Sequence, residues 1–170
     1  TRNSDLVTFC EDKVLKILAN KDALFNADGN VNLTATSNVL GQAVPFAGNY
    51  GISKNPESFA SEKYRAYFTD KQRGAVLRLS MDGLTTISDY GMSNYFRDNF
   101  KLANKITGSY DAYNKEYNVT ISFDNKKENV SYKESVNGWS SFKSYTPELA
   151  FSSSNTYYSF KEGNLYEHDS

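Results

Sequence analysis

The chain has 170 residues, 19 Lys and Arg against 20 Asp and Glu, and a net charge of −1. That length suits one domain with a sizeable core. The charge balance excludes a nucleic-acid binder recruited by bulk charge and an anchor to anionic membranes. A single cysteine, Cys10, and a single histidine, His168, exclude an intrachain disulfide and a Cys/His zinc cluster, so no cofactor or metal is expected.

No apolar run approaches the roughly 20 residues that span a bilayer. The 13 Tyr and 11 Phe, among many Asn, Ser and Thr, fit β-structure that stays partly exposed. Residues 5–20, DLVTFCEDKVLKILAN, partly match a helical spacing, but the β-branched and aromatic content around Glu11-Asp12-Lys13 favours a hairpin. Cys10 then packs as a small apolar residue in a strand. A turn at Asn26-Ala27-Asp28-Gly29 follows, because Asp-Gly supplies the positive φ of a tight turn. Val31, Leu33 and Ala35 alternate with Asn32, Thr34 and Thr36, which reads as a half-buried strand. Pro45 points to an edge or loop, and residues 48–56 are dense in breakers.

The clearest segment runs from Tyr64 to Met92. Tyr64–Thr69, Ala75–Ser80 and Leu84–Ser88 read as three antiparallel strands, with turns at 70–74 and 81–83. A short helix is expected at 94–100, with Ser93 as its cap and Tyr95, Phe96 and Phe100 largely on one side. Two hairpins come next. The first joins Ile106–Ala112 to Tyr117–Phe123. The second turns at Val136-Asn137-Gly138 between Val130 and Tyr132 on one side and Trp139, Phe142 and Tyr145 on the other. Pro147 ends it, and a last hairpin joins 157–160 to 165–168.

VTFCEDKVLKIL, AYFTDKQRGAVLRL and TYYSFKEGNLYEH form an imperfect repeat of strand, charged turn and strand. Separations of roughly 40–50 residues are those of blade-like arrays. The reading is therefore an all-β protein of antiparallel meanders and hairpins, in a partial propeller-like or stacked-blade arrangement. It takes residues 1–170 as one domain and as a piece of a longer polypeptide, with sub-units 5–50, 56–100, 105–148 and 155–170.

The run Gly48 to Phe100, GNYGISKNPESFASEKYRAYFTDKQRGAVLRLSMDGLTTISDYGMSNYFRDNF, resembles virion structural proteins of tailed bacteriophages, with marine, cyanophage-like relatives in view. NKDALFNADGNVNL and VLGQAVPF upstream, and GSYDAYNKEYNVTI, SYKESVNGWSSFKSYTPE and YYSFKEGNLYEH downstream, extend the resemblance over nearly the whole chain. It implies a β-rich, propeller-like part of a tail, baseplate or neck-associated component, located in the virion. The chain is much shorter than the proteins it resembles.

No catalytic signature is present. Asp82-Gly83 in SMDGLT resembles a sialidase Asp-box but lacks its spacing and tryptophan, and reads as a turn. Asp70, Asp82, Asp89 and Asp98 sit at turns, as solvated loops place them, rather than as a glycosidase pair. Asn26–Asn30 has only a corner of a calcium loop. Lys71, Arg73 and Arg78 near Tyr64 and Tyr67 read as a solvated strand edge rather than a nucleic-acid surface. His168 reads as a frayed surface residue with no catalytic partner. The sequons at Asn32, Asn118 and Asn129 read as chance.

The candidate binding residues are the C-terminal aromatics Tyr110, Tyr113, Tyr117, Tyr132, Trp139, Tyr145, Tyr157 and Tyr158. They suit a protein interface or sugar stacking, or else pair across strands within a sheet. The expectation is a non-enzymatic structural protein that touches other virion proteins or further copies of itself, without nucleic acid or membrane. The alternative is a module that binds a host-surface glycan during adsorption.

Overall fold

The computed structural model describes residues 4–169. It is all-β, with four antiparallel sheets and one α-helix. Two compact units divide it, residues 4–51 and 52–169.

The first unit is a three-stranded sheet of β1 (Leu6–Phe9), β2 (Val14–Phe25) and β3 (Val31–Pro45), in that order. Residues 5–20 do form a hairpin, with Phe9 opposite Val14. Cys10 lies in its turn rather than in a strand, half-buried, and its N–H donates to the Lys13 carbonyl at 2.8 Å. Val14 and Leu18 are buried on β2. Asp5 is buried too; its carboxylate accepts the Ala19 N–H at 3.0 Å and pairs with Lys21 at 3.2 Å. Pairing with β1 stops at Leu6 and Ile17, so the far half of β2 and β3 is a two-stranded ribbon. Its turn is the expected one, with Gly29 at φ +79°. Leu33, expected half-buried, is exposed because no third strand covers that end, and Val31, Val39 and Leu40 are exposed with it.

The second unit holds three meanders in chain order. The first is β4 (Ala60–Ser61), β5 (Ala66–Asp70), β6 (Ala75–Ser80) and β7 (Gly83–Thr86). The second is β8 (Lys105–Asp111), β9 (Glu116–Ser122), β10 (Lys127–Lys133) and β11 (Gly138–Lys143). The third is β12 (Leu149–Ser153), β13 (Thr156–Lys161) and β14 (Asn164–His168). Helix α1 (Ser93–Leu102) links the first to the second.

The expected meander around residues 64–88 pairs antiparallel as β5, β6 and β7. Its last strand ends early, because Ile87–Asp89 winds into a 3-10 turn that buries Ile87. The two hairpins expected between 106 and 145 are one continuous four-stranded sheet, since β9 and β10 also pair. Ser93 is the first helical residue; Met92 occupies the cap position, with no side-chain cap hydrogen bond.

Strand alternation puts Ile106, Tyr117, Val119, Ile121, Val130 and Tyr132 on one face of the second meander. That face is buried against Tyr67 and Val76 of the first meander and against Phe96 and Phe100, one turn apart on α1. The opposite face is polar and still buried at Ser109, Asn118 and Ser131, and Ser109 there meets Tyr157 of the third meander. Hydrogen bonds make this tolerable. The Ser131 hydroxyl donates to Asn118 Oδ1 at 2.5 Å, and Ser109 Oγ bonds the Tyr157 hydroxyl at 2.7 Å.

Candidate functional site

The first strands of the three meanders come together. β4 and β12 each lie beside β8. Ser152 on β12 stitches the β8 edge: its hydroxyl accepts the Ala112 N–H at 2.9 Å and donates to the Tyr110 carbonyl at 2.8 Å. A 3-10 turn, Pro56–Ser58, packs on β8 so closely that a side chain at Gly108 has no room. A Cβ there would sit 1.9 Å from the Ser58 carbonyl oxygen. The same oxygen accepts the Tyr117 hydroxyl at 2.6 Å.

Around this junction opens a cleft of about 950 Å³. Residues 59–65 form one border, Gly108–Tyr110 and Ala150–Ser152 another, and Lys133–Ser135 an end. Glu134 is its charged hub, accepting from Arg78 at 2.8 Å and from the Tyr67 hydroxyl at 2.9 Å, with Arg65 at 3.8 Å. Arg65 also reaches Glu62 at 3.3 Å.

The eight aromatic residues read from the sequence do not form one exposed patch. Tyr117, Tyr132 and Tyr157 are fully buried, which corrects their reading as surface tyrosines. Tyr110, Tyr117, Tyr132 and Trp139 are opposed across neighbouring strands, as cross-strand pairing within one sheet suggested, and Tyr117 and Tyr110 also stack on Tyr67 of the first meander, with ring centres 4.9 and 5.9 Å away. Trp139 is half-buried beside Phe96, and its indole N–H donates to the Ile87 carbonyl at 3.0 Å. Tyr145 packs on Tyr157 and His168. Tyr113 alone of the eight is well exposed. Tyr158 is half-buried on the outer face of the third meander, stacked on Phe151.

That outer face is the residue set that sequence reasoning missed. Register places Leu149, Phe151, Tyr158, Phe160 and Leu165 together on it. Leu149, Phe151 and Leu165 are exposed by 53%, 41% and 56%, unusual for large apolar side chains sharing one face. The signal was present in the alternation of LAFSS and TYYSF, but alternation does not say which face is covered.

His168 is not a frayed residue: its Nε2 lies 2.7 Å from the Ser159 hydroxyl. The pair is a diagonal cross-strand contact, on the face that packs inward. Lys71, Arg73 and Arg78 are engaged within the fold. Lys71 donates to the Ala103 carbonyl, Arg73 pairs with buried Asp70 at 3.0 Å, and Arg78 holds Glu134. Asp82 and Asp89 are exposed at separate turns, and Asp98, expected at a turn, is exposed on helix α1. Among the described residues, no group of three or more His, Cys, Asp or Glu is placed to hold a metal ion, and no helix is long and apolar enough to cross a membrane.

Burial raises the phenol pKa of Tyr67, Tyr117 and Tyr145, and that of Tyr132 is pushed up to about 12, with Glu134 adding to it. Free tyrosine in the unfolded chain titrates near 10. A raised folded pKa means that this contribution to stability is complete below pH ~10 and is lost as pH climbs from there through the folded values. Tyrosinate absorbance from these rings is expected to appear together with loss of near-UV circular dichroism. Ionisation near pH 10 with the near-UV signal intact would contradict their burial.

These features define an all-β protein of stacked antiparallel meanders, organised around packing surfaces. The family model that describes the Crassvirus muzzle protein matches residues 2–163, and the chain belongs to that family. It is thus a phage virion structural protein, which places it in the virion and in contact with other virion proteins. The phage part of the sequence resemblance stands; its marine, cyanophage-like attribution gives way to the crassviruses. No curated protein matches the chain.

Proposed function

We propose that the chain is a non-enzymatic, tail-associated structural module whose meanders stack like propeller blades and join neighbouring virion proteins through the outer face of β12–β14. The uncovered apolar face carries this reading. The second meander has its apolar face covered by the first meander and α1, whereas Leu149, Phe151 and Leu165 remain exposed. The adjacency of β4, β8 and β12, each the first strand of its sheet, supports the blade-like arrangement.

The test is a double substitution, Leu149→Asp with Leu165→Lys, two exposed positions of that face that lie outside the cleft. Exposed positions away from special features change stability by less than about 0.5 kcal/mol each, so the melting curve should hardly move. Incorporation into particles, read by quantifying the protein in purified virions against the wild-type phage, is expected to fall sharply. Immunogold labelling should mark the tail. Normal incorporation of a folded variant would sink the assembly role of this face, and label on the capsid would sink the tail assignment.

A further inference from the structure

The cleft bordered by β4, β8 and β12 meets the outer sheet face only at Phe151, and the rest of its lining has a chemistry that assembly through that face does not use. We propose that it binds a strand of acidic polysaccharide, with carboxylate-bearing sugars. The function is additional to the structural one.

Three observations carry the assignment. The first is shape. About 950 Å³ of open cleft is at the upper end of small-ligand sites, which is room for more than one sugar ring.

The second is aromatic lining. Phe59, Tyr64 and Phe151 border the cleft and are 40%, 64% and 41% exposed. Tyr110 also lines it and is held in place by stacking on Tyr67. Aromatic rings with exposed surface suit the C–H faces of pyranose rings.

The third is charge. Lys63, Arg65, Lys115 and Lys133 line the cleft against only Glu62 and Glu134. Both carboxylates are already engaged, Glu62 by Arg65 and Glu134 by Arg78 and Tyr67. Lys133 lies 3.9 Å from Glu116, which Lys143 holds more closely at 2.8 Å. The Lys63 ammonium lies 5.1 Å from the centre of the Tyr64 ring, which puts a cation beside a stacking platform. Arg65 is itself taken up by Glu62, so the surplus positive charge comes from the lysines, and a net of +2 along the lining (four cations less two anions), in a chain of net charge −1, selects an anionic ligand. The aromatic faces select a sugar over a simple anion.

The probe is a short oligogalacturonate, titrated calorimetrically into the full chain. A neutral cello-oligosaccharide and a poly-glutamate of matched length serve as comparisons. Binding of the oligogalacturonate that weakens with salt is expected, with little heat from either comparison. Tyr64→Ala and Lys63→Ala should each weaken it about tenfold, equivalent to ~1.4 kcal/mol. Met81→Ala, at an exposed turn outside the cleft, should leave it unchanged. Equal binding of the neutral sugar would overturn the acidic class, and equal binding of poly-glutamate would overturn the sugar. No binding of the oligogalacturonate overturns the proposal outright. Because the readout is sugar binding by the isolated chain, and Leu149 and Leu165 lie outside the cleft, its failure leaves the assembly test untouched.

Discussion

Tyr67→Ala is expected to destabilise the unit formed by residues 52–169 by about 3–5 kcal/mol. The ring is fully buried. It stacks on Tyr117 and Tyr110 and leans on Tyr132, with centres 4.9, 5.9 and 6.5 Å away. Removing it leaves a cavity bordered by three aromatic rings, which cannot close without moving two sheets together. The loss is also chemical, because the phenol donates to Glu134. Tyr67→Phe separates the two terms. It keeps the ring and deletes one hydrogen bond to a charged group, worth ~1.5–3 kcal/mol. In urea melts the alanine variant should show a clearly lower midpoint with an unchanged slope, and the phenylalanine variant a smaller shift. An alanine variant as stable as the wild type would mean that the first two meanders do not pack through this ring.

Gly108→Ala carries the second large effect. Its methyl carbon would sit 1.9 Å from the Ser58 carbonyl oxygen and 2.7 Å from the Tyr117 hydroxyl. Both are fully buried, so neither can swing aside. Overpacking of this kind costs ~1–3 kcal/mol. Loss of the Tyr117–Ser58 hydrogen bond adds about 1–3 kcal/mol for buried groups left unpaired. A total of about 3 kcal/mol or more is expected from chemical denaturation. Gly138→Ala is the comparison: the nearest atom to its Cβ is 3.6 Å away, an ordinary contact, and φ there is not positive. That variant should melt close to the wild type. If the two alanine variants lose equal stability, the close approach of the Pro56–Ser58 turn to β8 is not a real constraint.

Much of the fold was legible because its cues are local. The 81–83 turn and the alternation on either side of it set β6 and β7 to within a residue or two. Glycine and asparagine at positive φ marked turns, as Gly29 and Asn137 do. The helix was visible as a break in alternation, although its cap was not, since Ser93 makes no capping bond. The aromatic cleft was not legible. Its borders come from residues 59–65, 108–110, 133–135 and 150–152, which only the packing of three sheets brings together.

By itself the sequence determined the all-β class, the meander around Tyr64–Met92 and the likeness to phage virion proteins, because period-two alternation, turn chemistry and segment similarity are carried by neighbouring residues. Only the tertiary structure decided which face of each sheet is covered. Alternation separates Tyr157 from Tyr158, but it cannot say that Tyr157 is sealed against Ser109 while Tyr158 lies on an open face with Phe151. It cannot foresee that the polar row of Ser109, Asn118 and Ser131 is buried, since hydrogen bonds across strands and sheets offset the loss of water there. Burial depends on what stacks on a face, and that partner lies tens of residues away along the chain.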